Sequence, residues 1–333
     1  MAAGWNLTSG EVTNYSVGET ELWELFNYVF STSCKKRSTY KYGLIKAILD
    51  NLLNATVSKR GMELTYIELF AKFAENYWNL ITKYHIRQMR KTSQSSVSAI
   101  ERIFQDTLSQ YPMVKGLEFD SLLEKDRKKI IGLVSESCRK NVIGALYQDF
   151  SGKLYGFDLK DTGIWLHPAS YEFMLKYKPE IEQLNYYSWA RFLESINSDN
   201  AVVGLLGKLE SSMPQRNNLS IYRRILQQEF ETNNCFYCGK KLQGTPHVDH
   251  VIPWSFVKAD HLWNFVLACP NCNTKKKDRL PTREGLSHLI VRNEKLSLID
   301  KPYITVEFKG YSPDLLWRIW DYAKLSGIRV EER

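Results

Sequence analysis

Two Cys-x-x-Cys pairs stand in this chain, Cys235 with Cys238 and Cys269 with Cys272, separated by 30 residues. Each pair can form a knuckle that brings two thiolates onto one metal, and two knuckles complete a tetrahedral four-thiolate shell. Zinc is the expected ion. Four thiolates leave no open coordination position, so this Zn2+ is expected to be structural. It would fix the ends of a motif too short to bury its own core. A redox site would need only one pair, and a secreted disulfide scaffold would be smaller and richer in cysteine. Asn234 and Gly239 flank the first knuckle as turn formers, while the lone Cys34 and Cys138 read as inert thiols.

Between and just after the knuckles lie His247-Val-Asp249-His250-Val-Ile-Pro253, then Asn264, then Cys272-Asn273-Thr-Lys-Lys276. Hydrolysis of a phosphodiester needs an activated water, neutralised phosphate charge and a stabilised leaving oxygen. A histidine near its ordinary pKa can take a proton from water at neutral pH. A hard divalent ion with oxygen ligands can hold the phosphate. Asp249 offers a charged oxygen and Asn273 a neutral amide oxygen. Asp249 and His250 are adjacent, so on one strand they would point to opposite faces unless the strand ends or bends there. Pro253 and the polar residues after it mark such an end.

In order and spacing these elements resemble the HNH (ββα-metal) endonuclease superfamily, in its zinc-stapled form, over residues 233–283. The family's core is a β-hairpin followed by a helix around one divalent metal. The resemblance implies that His250 is the general base and that Asp249 and Asn273 bind a catalytic Mg2+ or Mn2+. It implies that Asn264 holds the intervening loop and orients His250. Many members have His where Asn273 stands. His247 would share the side of the strand used by Asp249 and give support to the metal or phosphate. Lys276 and Lys277 follow Asn273 by three and four residues, on its helical face, and are the expected phosphate contacts. Residues 233–283 hold eight Lys/Arg against three Asp, a formal +5. Four thiolates on Zn2+ lower this to about +3, a small positive patch.

The rest of the chain must position this motif. Apolar residues recur at helical spacing at Leu22, Leu25, Phe26, Val29 and Phe30, and again at Leu44, Ile45, Ile48, Leu49 and Leu52. Thr65 with Glu68, and Ser98 with Glu101, have the capping-box pattern before apolar runs. Thr92–Ser96 reads as a polar loop. The aromatic-rich stretch Tyr66–Leu80 reads as core. Residues 142–166 suggest a small hairpin beside Gly152 and Gly163, residues 186–209 a helix, and Met213–Asn218 a linker. A helix over 219–230 leads into the cysteines, and Ser312-Pro313-Asp314 starts a last helix over 313–326, capped by Gly327 and packed beside or across the motif.

The expected fold class is therefore α+β, mainly α. A helical domain spans 1–212, for specificity, dimerisation or regulation, and a zinc-stapled ββα nuclease domain spans 213–333. The layout resembles bacterial restriction and phage-defence proteins with a helical extension before the HNH motif. The chain carries 45 Lys+Arg against 37 Asp+Glu, a formal +8. That leans only weakly toward polyanions. Basic clusters stand at Lys35-Lys36-Arg37, at Arg87, Arg90 and Lys91, and at Arg127-Lys128-Lys129, and none is diagnostic by itself. No signal peptide is expected from MAAGWNLTSGEV, and no membrane span from any apolar run. The expected setting is cytoplasmic, with DNA as partner and a homodimer or a regulatory protein for the helical domain. The alternatives are a non-catalytic zinc module that binds nucleic acid, a nuclease acting on RNA, and a nuclease effector activated by a partner or signal.

Overall fold

The computed structural model describes residues 6–13, 16–92, 97–211, 219–229 and 233–332. The expected linker Met213–Asn218 and most of the expected polar loop at 92–96 lie outside the described residues. The chain divides into two compact units, 1–214 and 215–333. It is α+β and mainly helical. Among the described residues no helix is long and apolar enough to cross a membrane.

Unit 1 runs β1 (Ser9–Gly10), α1 (Glu19–Phe30), α2 (Tyr40–Asn51), β2 (Thr56–Ser58), β3 (Gly61–Thr65), α3 (Tyr66–Thr82), α4 (Ala99–Gln110) and α5 (Glu124–Asp149). It continues with β4 (Tyr155–Asp158), β5 (Gly163–Leu166), α6 (Pro168–Lys176), α7 (Lys178–Glu194), α8 (Asp199–Val202) and α9 (Leu205–Ser211). The strands make one antiparallel sheet in the order β1-β4-β5-β3-β2. Capping boxes start α3 at Thr65/Glu68 and α4 at Ser98/Glu101. Each satisfies two amide donors that a helix start would otherwise leave unpaired. The α3 aromatics Phe70, Phe73, Tyr77 and Trp78 are all buried. Tyr77 lies so close to Gly43 of α2 that a Cβ there would stand 2.4 Å from its ring.

Helix α2 is buried on nearly every face, which a one-sided apolar stripe does not anticipate. Its polar residues are therefore paired inside the unit. Lys46 bonds Asp50 and lies 3.1 Å from Glu182 of α7, and Asn76 donates to Asp50 at 3.2 Å. Burial favours the neutral amine, yet Asp50, Tyr186 and Glu182 hold Lys46 charged.

Two expected boundaries move. Residues 142–149 belong to α5, because Val142, Ile143, Leu146 and Phe150 keep helical spacing and face the core. Only β4 and β5 form the hairpin. The expected helix over 186–209 ends at Glu194. There the last turn tightens, with Ile196 N–H donating to the Leu193 carbonyl at 3.2 Å, and Ser195 Oγ takes the Phe192 carbonyl that Ile196 would bond in a continuing helix.

Unit 2 contains α10 (Ser220–Glu229), β6 (His247–His250), α11 (Trp254–Val257), β7 (Phe265–Ala268), α12 (Pro270–Lys276), α13 (Arg283–Ser297), α14 (Pro302–Glu307) and α15 (Pro313–Leu325). Strands β6 and β7 pair antiparallel, with Asp249 opposite Val266 and His250 opposite Phe265. Beneath them Leu226, Leu242, Leu262, Phe265, Leu296 and Ile304 form one apolar cluster. Ser312 caps α15, which packs against α13, and Trp320 donates to the Pro281 carbonyl at 2.8 Å.

The buried Lys46 gives a stability prediction. Lys46→Met leaves two carboxylates in the core without their cation, which costs about 3–5 kcal/mol. Denaturant unfolding of the helical unit should show that loss. Adding Asp50→Asn and Glu182→Gln should restore most of it.

Candidate active site

The first knuckle closes as a tight turn. Gly239 donates to the Cys235 carbonyl at 2.9 Å, with Gly239 at φ +68. Phe236 N–H donates to the Leu267 carbonyl at 2.9 Å, which hangs this turn on β7. The second knuckle starts α12, where Cys269 is the N-cap and its sulfur accepts from Cys272 N–H at 3.4 Å. Cys269 N–H in turn donates to Cys235 Sγ at 3.3 Å. All four sulfurs lie within 4.8 Å of one another. Four thiolates around one Zn2+ at about 2.3 Å have sulfurs roughly 3.8 Å apart, so a small contraction seats the ion. The donor set fits zinc.

Charge points the same way. Burial pushes the Cys235 thiol up, yet N–H groups of Cys269, Cys238 and Tyr237 bring it down to about 7. Burial and the neighbouring thiols Cys269, Cys238 and Cys235 push Cys272 up to about 12. Cys272 cannot ionise at neutral pH without a cation among the sulfurs. Cys34 and Cys138, by contrast, are buried far from this chemistry in sequence, and burial pushes both thiols up, Cys138 to about 12.

On β6, His247 and Asp249 occupy alternate positions and so share one side, toward α12. Asn273 lies on α12 and its amide nitrogen is 3.0 Å from His247 Nδ1. Asp249 Oδ2 accepts the Tyr237 hydroxyl and lies 3.2 Å from Lys276 Nζ. No group among the described residues bonds Asp249 Oδ1 or Asn273 Oδ1, and neither is an enclosed, unpartnered atom. Two hard oxygen donors thus stand open beside an imidazole nitrogen. This is a set that suits Mg2+ or Mn2+ with water completing the shell.

The expected place of Lys276 needs correction. Its side chain is only 1% exposed, and its ammonium donates to the His250 carbonyl at 2.7 Å as well as facing Asp249. The α12 face that carries Asn273 packs on β6, so a lysine one turn later is drawn under the strand instead of into solvent. Lys277 is exposed and stands just past the helix in a left-handed φ of +51. Lys275 is exposed too.

His250 ends β6. Its ring meets Phe265 edge-on at 4.5 Å. Its Nε2 lies 2.9 Å from Asp260 Oδ1, with both side chains under a tenth exposed. A carboxylate only accepts, so Nε2 carries the hydrogen, and in the neutral imidazole it is Nδ1 that holds the lone pair. Among the described residues nothing bonds Nδ1.

Asn264 is fully buried and closes the loop that follows His250. Its Oδ1 accepts Ile252 N–H at 2.8 Å, its Nδ2 donates to the Ile252 carbonyl at 2.9 Å, and its own carbonyl accepts Val251 N–H at 2.9 Å. It holds the backbone next to His250 and does not bond the ring. The ring's partner is Asp260, which sequence reasoning missed. A loop aspartate ten residues after a histidine carries no spacing signal, because the loop's path alone brings it back.

Residues 235–279 match the family model described as HNH endonuclease, a domain that acts on nucleic acid. Neither curated proteins nor solved structures give a match.

Removal of the knuckle metal has a direct readout. The purified chain should contain one zinc, measured by plasma mass spectrometry. A strong chelator, or Cys272→Ser, should abolish zinc and unfold unit 2 while the main helical signal persists in circular dichroism. Retention of a folded unit 2 without zinc would contradict the assignment.

Proposed function

We propose that the HNH endonuclease domain at 235–279 is catalytically active and hydrolyses phosphodiester bonds in DNA. The single observation behind this reading is that Lys276, one turn after Asn273 on α12, joins the His250 carbonyl to the Asp249 carboxylate, so the three motif residues share one strand–helix junction beside the cysteine cluster. A module that only bound nucleic acid would need the cysteines and the basic residues. It would not need a histidine held by a buried aspartate beside two open oxygen donors.

In this reading Asp249 Oδ1 and Asn273 Oδ1 hold a Mg2+ or Mn2+ ion, and His247 supports it from the same side. Such an ion, when bound, supplies Lewis acidity to the scissile phosphate and the leaving oxygen. Asp260 keeps the hydrogen of His250 on Nε2, so Nδ1 is the atom that takes the proton from water. Lys276 is a positioning residue. It ties the carbonyl of His250 to the carboxylate of Asp249 and keeps base and ligand in one frame. Asn264 fixes the loop that delivers Asp260. Phosphate contact falls to the exposed Lys277 and Lys275, in place of the expected Lys276. Phe256 and Trp263 are buried and Trp254 is half-buried, so these three aromatics offer little open face for stacking unpaired bases, which supports duplex DNA over single-stranded RNA.

The wider setting follows as part of the same proposal. A nuclease that harms its host when uncontrolled fits a cytoplasmic restriction or anti-phage role. The helical region would then supply specificity, self-association or a partner's signal.

Cleavage of supercoiled plasmid tests the reading. Wild-type protein with Mg2+ or Mn2+ should nick or linearise it, and His250→Ala should lose about 10²–10⁴-fold in rate. Asp260→Asn should fall between the two, with kcat reduced and KM little changed. Asp249→Ala should lose cleavage at all practical metal concentrations. Equal cleavage by wild type and His250→Ala at matched zinc content would sink the assignment.

A further inference from the structure

Three basic clusters of unit 1 have no role so far, and the fold treats them differently. In the cluster at 127–129, Arg127 and Lys128 are each paired with a carboxylate. Arg127 lies 3.3 Å from Asp120 and Lys128 2.6 Å from Glu124, while Lys129 reaches the Tyr111 hydroxyl at 3.4 Å.

The other two clusters, some 50 residues apart in sequence, are brought together. Ser38 and Met89 form an antiparallel bridge. Arg90 N–H donates to the Arg37 carbonyl and Thr39 N–H to the Gln88 carbonyl, each at 3.0 Å. The pairing is locked from below by buried groups. Thr39 Oγ1 donates to Gln88 Oε1 at 2.9 Å, and the Tyr77 hydroxyl to Thr39 Oγ1 at 3.0 Å. In this register Arg37 stands opposite Arg90. Burial ends beyond Thr39, Gln88 and Met89, and the bridge runs out to the surface where both arginines lie. Both are exposed, as are Lys35 and Lys91 beside them.

None of Lys35, Arg37, Arg87, Arg90 or Lys91 has a carboxylate partner among the described residues. Their contacts are neutral instead. Arg37 Nη2 donates to Thr92 Oγ1 at 3.2 Å, and Arg90 Nη2 to Ser195 Oγ at 3.3 Å. The Arg90 guanidinium also lies 5.0 Å from the centre of the Phe192 ring. Asn197 clamps the backbone of Arg87 from both sides. Like charges placed opposite each other across a strand pair are destabilising. Here they are held by a rigid base, with no acid to relieve them, and two guanidinium forks are pre-set for phosphate.

We infer that this ridge, Lys35/Arg37 against Arg87/Arg90/Lys91, binds the phosphate backbone of duplex DNA. The identity of the polyanion rests on the nuclease reading above. Backbone contacts carry no sequence information, so the ridge supplies affinity and salt dependence and not target choice.

Binding by the full-length chain tests this without chemistry. A zinc-loaded His250→Ala parent, in buffer without Mg2+, is titrated with a labelled short duplex across about 50–200 mM salt. Arg37→Gln/Arg90→Gln/Lys91→Gln should weaken binding at least tenfold at the lowest salt. The slope of log K against log salt should fall by about 2–3, near 0.9 per lost contact. Lys35→Gln/Arg37→Gln/Lys91→Gln, which spares the packing of Arg90 on Phe192, should act in the same direction. Arg127→Gln/Lys128→Gln/Lys129→Gln removes the same charge and should change affinity less than about twofold, as a control for net charge alone. Equal effects of ridge and control variants, or no binding by the parent, would overturn the inference. An acidic-protein partner in place of DNA falls under the second outcome. Failure of the nuclease reading looks different: a wild-type chain that leaves plasmid intact yet keeps this salt-dependent binding.

Discussion

Two strands of four residues and a helix of seven cannot bury enough apolar surface to hold one geometry. In unit 2 the cysteine cluster supplies what the core lacks. One knuckle hangs from β7 through Phe236, the other is the N-terminal turn of α12, and the four sulfurs close the gap between them. Everything in the candidate site is measured from that closure. Asn273 directly follows Cys272, and Lys276 lies one turn later, so the cysteine cluster fixes where α12 begins and hence which residues face β6. With the cluster open, Asn273 and Asp249 lose their common frame.

A second constraint is electrostatic. Asp249 carries the one carboxylate on the α12-facing side of β6, and Lys276 already offsets part of its charge. A divalent ion held there by one carboxylate, one amide and one imidazole would be bound weakly and would gain ligands from the phosphate itself. That suits a site that must accept and release a polyanion. Lys276 also bonds the His250 carbonyl, so the same ammonium joins the proposed base to the proposed metal ligand. His250 is held from its other side by Asp260 and Phe265. The imidazole is thus restrained at one nitrogen, at its ring and at its backbone, and only Nδ1 is left to act.

Much of this was legible in the residues. Helix starts at Thr65, Ser98 and Ser312 carry their signal locally, because a capping side chain bonds an amide three residues on. The cysteine pairs carry theirs because a knuckle needs a fixed spacing. Boundaries set by competition were harder to see. The end of α7 depends on Ser195 taking the Phe192 carbonyl from the helix, and α5 runs through a stretch whose aromatics also suit a strand. Lys276 and Asp260 were the least visible. A lysine in a basic run looks solvated until the packing of its helix is known, and a loop aspartate gains its partner only when the loop closes. The burial of Lys46 likewise follows from α2 being enclosed on all sides, which no single-face pattern encodes.

The central claim is that two metals have separate tasks, one in the cysteine cluster and one beside Asp249 and Asn273. Crystals of zinc-loaded His250→Ala with duplex DNA and Mn2+, measured at the absorption edges of both metals, address it directly. A zinc peak is expected among Cys235, Cys238, Cys269 and Cys272, and a distinct manganese peak within coordination distance of Asp249 and Asn273 and of a phosphate oxygen. Manganese absent from that position while the duplex is bound, or a second zinc-type site there that excludes phosphate, would contradict it.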